Sequence, residues 1–230
     1  MRRFFGALVL GLAAAAVAQA HALYILADGG DPAKAIVVFS DELAPDANVK
    51  EASWKKVSGI KLVARDASGK ETAIKATQEK DHMKAPAPAG TKVIYGTVDY
   101  GAFAKGDAKP KALMFHPKAI LGDVPADGAA LGEKCGLDVV PKIEAGKVRF
   151  QVLASGKPVA NAKVGVMLPE KKGDSDHADA VTDEKGWTQA FDAKGRYGVT
   201  VRHEEAKPGE SNGVKYEVVL HSATLVVDVK

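Results

Sequence analysis

From residue 148 onward, apolar side chains recur at every second position. Val148, Phe150 and Val152 alternate with Arg149 and Gln151, as in a strand with one buried face and one wet face. Ser155-Gly156-Lys157-Pro158 turns the chain, and Val164, Val166 and Leu168 repeat the pattern. Gly186 to Phe191, Tyr197 to His203 and Tyr216 to Val229 read as further strands, with a polar loop from Lys171 to Ala180. Upstream the alternation is shorter and more often interrupted. Val37 and Phe39 open a strand before a turn-rich segment, Ser40 to Asn48. Residues 59–65 and 71–76 flank Asp66-Ala67-Ser68-Gly69-Lys70, a hairpin signal. Lys92 to Val98 and Lys111 to His116 are two more strands, and Gly122 to Gly132 is a connector. No long amphipathic helix and no repeat of about 20 to 50 residues is visible. The pattern predicts an all-β chain of two β-sandwich-like domains, 21–140 and 141–230, with the boundary near Pro141 to Gly146.

Residues 1–20 break this pattern. Arg2 and Arg3 precede an apolar run from Phe4 to Val17, and small residues follow. That layout is a secretory signal peptide, too short for the roughly 20 apolar residues of a membrane span. The expectation is an exported protein, periplasmic or secreted, with no membrane span once the signal is removed. Three small-x-small cleavage sites overlap. Cutting after Ala20 leaves His21 first; cutting after Ala18 leaves it third; cutting after Ala22 removes it.

Composition narrows the chemistry. The 230 residues carry 32 Lys and Arg against 29 Asp and Glu, and removing Arg2 and Arg3 brings the balance close to zero. A nearly neutral chain with scattered lysines has no electrostatic basis for holding nucleic acid. A single cysteine, Cys135, excludes an internal disulfide and every multi-cysteine metal site. No nucleophile elbow, phosphate-cradling loop, dinucleotide fingerprint or paired-histidine zinc motif occurs, so the sequence predicts no enzyme.

The informative residues are six histidines. At the start of a processed chain, His21 offers an amine and an imidazole on one residue, a chelate resembling a histidine brace. As third residue it offers amine, two amide nitrogens and imidazole, a square-planar set suited to Cu(II) or Ni(II). The competing reading is that His21 merely opens a strand in parity with Leu23 and Ile25. His203 and His221 each have the parity of an apolar, inward strand face. In a hairpin around Ser211-Asn212-Gly213, a three-residue loop sets them opposite one another, whereas a two-residue Asn212-Gly213 turn sends them to opposite faces. Met114 and His116 place a thioether and an imidazole on one face. Asp174, Asp176, His177 and Asp179 crowd a polar loop, a weak metal-binding candidate that reads first as a solvated turn.

At these residues the chain resembles a family of exported bacterial proteins labelled the periplasmic component of cobalt or nickel uptake systems. The resemblance rests on Ala20-His21-Ala22-Leu23-Tyr24, on Gly136-Leu137-Asp138-Val139-Val140-Pro141, and on Val148 to Val152 leading to Gly156-Lys157-Pro158-Val159-Ala160-Asn161-Ala162-Lys163-Val164. It ends with Val201-Arg202-His203-Glu204-Glu205 and His221-Ser222-Ala223-Thr224-Leu225. It implies an immunoglobulin- or transthyretin-like C-terminal sandwich, a divalent nickel or cobalt ligand, and a membrane metal-uptake system as partner. Cys135 departs from the family's usual form.

Together these features predict an exported protein that captures or delivers a transition metal. His21 would be the main donor, helped by His116, His203 or His221. Nickel or cobalt follows from the resemblance, and copper from the nitrogen-rich donor set. A partner-binding β-sandwich with incidental histidines and a copper-dependent oxidative enzyme are the rival expectations.

Overall fold

A computed structural model describes residues 21–104, 106, 108–122, 126–169, 177–192 and 194–230. The expected signal peptide and the Asp174 and Asp176 part of the polar loop lie outside them. The chain is all-β, as the alternation predicts. Its first half supplies β1 (Ala22–Ala27), β2 (Ala35–Ser40), the short helix α1 (Glu51–Val57), β3 (Lys61–Asp66), β4 (Glu71–Ile74), β5 (Thr77–Gln78), β6 (Met83–Lys84), β7 (Thr91–Phe103) and β8 (Lys111–Ile120). After a connector come β9 (Asp138–Glu144), β10 (Lys147–Ala154), β11 (Lys157–Pro158), β12 (Lys163–Met167), β13 (His177–Val181), β14 (Gly195–Ser211) and β15 (Val214–Val229).

Among the described residues one sheet dominates, with the order β13-β12-β14-β15-β8-β7-β3-β4. A four-stranded sheet, β1-β2-β6-β5, covers one face. The three-stranded β11-β10-β9 covers the other. Each cover seals its own core. Leu23, Ile25, Val37, Phe39 and Met83 pack with Leu62, Ile94, Phe115 and Ala119 on the first side. Val139, Val148, Phe150 and Val152 pack with Val164, Val199, Val201, Leu225 and Val227 on the second. The C-terminal half is thus a sandwich of a three-stranded against a four-stranded layer, the layering of immunoglobulin-like folds.

The expected division between the halves needs correction. The boundary placed near Pro141 to Gly146 falls inside the β9–β10 hairpin. The two sandwich-like packings also share one sheet, because β15 pairs in parallel with β8 from Val218↔Lys111 to Val227↔Ile120. The last strand of the chain therefore closes onto the last long strand of the first half. Parallel neighbours are joined by long connections, so nothing local in the sequence marks the pairing.

Two strands of the first half run further than the alternation suggests. β7 continues past Val98 through a register shift between Asp99 and Gly101; Gly101 takes φ +101° there, a conformation open to glycine. β8 continues past His116 through Pro117. Its ladder with β7 skips the positions opposite His116 and Pro117, where proline has no N–H to give.

The β14–β15 hairpin combines both anticipated geometries. Its turn is the two-residue Asn212-Gly213, both at positive φ, as a tight hairpin requires. That turn alone would put His203 and His221 on opposite faces. A shift between Ala206 and Gly209 inserts one extra residue on β14, and the ladder below it pairs His203 directly with His221.

Candidate functional site

The four histidines expected to bind metal lie on opposite faces of the large sheet, His21 on one side and His116, His203 and His221 on the other. Neighbouring residues on a strand point to opposite faces. Phe115 of β8 meets Phe39 of β2 at 5.7 Å, and Phe39 in turn meets the His21 ring at 5.6 Å. Thr224 of β15 points the same way, donating its hydroxyl to the Leu23 carbonyl at 2.6 Å. His116 and His221 have the other parity and face the β9–β10 side. The expected set of His21 completed by His116, His203 or His221 therefore does not assemble around one point, because the sheet stands between them.

His21 immediately precedes β1, and its side chain is 37% exposed. Its Nε2 lies 3.0 Å from Asp46 Oδ2, while Nδ1 faces Asp41 Oδ2 at 3.6 Å. Both carboxylates come from the turn-rich segment after β2, which the sequence reading marked without assigning them a role. Asp46 is fixed by its own turn: Oδ1 accepts from the Asn48 backbone N–H at 2.8 Å. That bond, with the His21 contact, holds the Asp46 carboxyl below its usual range.

On the other face the structure forms a connected polar chain. His116 Nε2 and His221 Nδ1 are 2.8 Å apart, and the rings meet edge to edge with centroids 5.1 Å apart. The far nitrogen of His221, Nε2, bonds Glu205 Oε2 at 3.0 Å. The far nitrogen of His116, Nδ1, faces Thr97 Oγ1 at 3.4 Å. Both imidazoles are buried, at 5% and 6% exposure. Burial, with the neighbouring His221, pushes the His116 pKa down to about 4, so this ring is neutral at ordinary pH. The His221 bond holds the Glu205 carboxyl low. Gly136 lies against His221: a Cβ there would come within 2.5 Å of Cε1 and 2.7 Å of Nδ1.

Beside this chain is a buried ion pair that the sequence reading missed. Lys118 and Asp138 are 1% and 2% exposed and bonded to one another. Lys118 Nζ also donates to the Ala129 carbonyl at 3.0 Å, and Asp138 Oδ2 accepts from the Leu131 N–H at 2.9 Å. The pair pins the connector to β8. Cys135 belongs to the same packing: its thiol donates to the Leu137 carbonyl at 2.9 Å, and burial pushes its pKa up to about 12. A thiol held protonated is a poor nucleophile.

His82 pairs with its neighbour Asp81 at 2.8 Å, and His177 lies on β13 at the edge of the large sheet. Among the described residues, no three His, Cys, Asp or Glu side chains gather into a metal-holding group. No helix among them is long and apolar enough to cross a membrane.

No protein-family model matches the chain, and no curated protein does. Among solved structures, the crystal structure of a tetra-tandem repeat in the extending region of a large adhesion protein aligns with 91% of this chain and 50% of that one, at 13% identity and a TM-score of 0.22. At that TM-score the likeness carries no argument.

Proposed function

We propose that this is an exported, periplasmic or secreted, transition-metal-binding protein that captures or delivers its metal, with His21 as the principal donor. The supporting observation is how the two ring nitrogens of His21 are used. Nε2 is engaged by Asp46, in the manner of a carboxylate that orients a metal-bound histidine from behind. Nδ1 is left toward Asp41 on a half-exposed surface. Removal of residues 1–20 would add a terminal amine on the same residue, so amine, Nδ1 and Asp41 form a compact nitrogen and oxygen donor set. Such a set suits Ni(II), Co(II) and Cu(II), with copper at the top of the affinity order. A membrane metal-uptake system is the partner this reading implies.

The test is the intact mass of the exported protein followed by metal titration. A chain beginning at His21 is expected, and His21→Ala should weaken Cu(II) or Ni(II) binding at least tenfold, about 1.4 kcal/mol. A chain beginning at Leu23, or an unchanged titration, overturns the proposal and leaves a partner-binding β-protein.

A further inference from the structure

The geometry points to a second metal site, separate from His21 and suited to monovalent copper, formed by His116, His221 and Met114 on the opposite face of the large sheet. Three observations converge on it.

First, the two imidazoles turn their near nitrogens toward one point. His116 Nε2 and His221 Nδ1 stand 2.8 Å apart, sharing a proton where a metal would sit. Two ring nitrogens each about 2.0–2.1 Å from a metal in roughly tetrahedral geometry are about 3.3 Å apart. An opening of about half an ångström would therefore admit the ion. Second, both far nitrogens already have the partners that orient histidine ligands: Glu205 behind His221 at 3.0 Å and Thr97 behind His116 at 3.4 Å. For both near nitrogens to bind at once, His116 moves its proton from Nε2 to Nδ1, toward the Thr97 hydroxyl. No net proton is released. Third, Gly136 packs its backbone against the His221 ring, where any Cβ would run into Cε1 and Nδ1, so the ring is held in place from that side.

Strand register supplies the third donor. Met114 is the partner of His221 across the parallel β8–β15 ladder, and it is two residues from His116 on the same face. His203 pairs with His221 from the other side, and Asp99 pairs with Met114. Asp99, Met114, His221 and His203 therefore form one row across four strands. Two imidazoles and a thioether are a soft donor set, which favours Cu(I) over harder divalent ions. The Glu205 carboxylate behind His221 is 44% exposed while His221 itself is 8% exposed.

The experiment is anaerobic Cu(I) titration of the full exported protein against a chromophoric Cu(I) chelator, with X-ray absorption at the copper edge. His21→Ala should retain one equivalent of Cu(I) while losing its Cu(II) or Ni(II) affinity, which separates this site from the proposed N-terminal one. Met114→Leu conserves volume, so the fold should survive; Cu(I) affinity should fall at least tenfold and the sulfur scatterer should vanish. His221→Gln should lose binding more severely. Loss of Cu(I) in His21→Ala, or a Met114→Leu protein that binds as the parent does, overturns the inference.

Discussion

The two histidine sites share a side-chain chemistry and differ in almost everything that supports it. His21 stands at the rim of a small sheet, half exposed, oriented by two carboxylates from one nearby turn. His116 and His221 are buried 105 positions apart in sequence, held by two strands, a distant carboxylate and a glycine. An exposed imidazole can be removed with little consequence for the fold. A buried pair cannot, because each ring is the other's hydrogen-bond partner and an orphaned polar group inside a core is costly. His21 is thus built for exchange with solvent, while the buried pair belongs to the seam joining both halves of the molecule.

The largest effect is expected just beside that pair. Asp138→Ala leaves the Lys118 ammonium buried without its counter-charge and should destabilise the protein by about 3–5 kcal/mol, read by chemical denaturation. Next comes pH. With the folded His116 pKa near 4 and an unfolded value near 6.5, the unfolded chain binds the extra proton first on acidification. Stability of the metal-free protein should therefore be fully present above about pH 6.5 and be lost between there and about pH 4, by about 3 kcal/mol from this group. Denaturation midpoints measured across that window should lose this slope in His116→Gln; an unchanged slope would mean that the imidazole is not buried neutral. Gly136→Ala follows, since its Cβ must displace the His221 ring, at a cost of about 1–3 kcal/mol. His21→Ala should be smallest, within about 0.5 kcal/mol in stability despite its expected effect on metal affinity. A large loss of stability in His21→Ala would erase the contrast between the two sites.

Much of the secondary structure was legible because alternation reports burial directly. The strands around Val37, Leu62, Val93, Val148, Val164, Val199 and Leu225 lie where apolar side chains recur at every second position. The misreadings are equally physical. Pro117 and Lys118 look like the end of a strand, yet β8 runs through them: the proline coincides with a gap in the ladder, and the lysine is neutralised by Asp138. The Asn212-Gly213 turn was readable from its residues, but the extra residue near Pro208 that resets the register depends on how long strands settle against one another. Asp41 and Asp46 lie in a segment recognised only as a turn, because carboxylates in turns are common and their aim at His21 appears only once β1 and β2 pair.

The sequence by itself determined the all-β character, the parity of His21, His116, His203 and His221, and the facing of His203 and His221 as one of two registers. Those properties depend on a period of two and on turn residues a few positions apart. The shared sheet, the placement of His21 opposite the buried pair and the meeting of His116 with His221 were decided only in three dimensions. They follow from the parallel closure of β15 onto β8, and that contact is set by the packing of two cores on either face of one sheet.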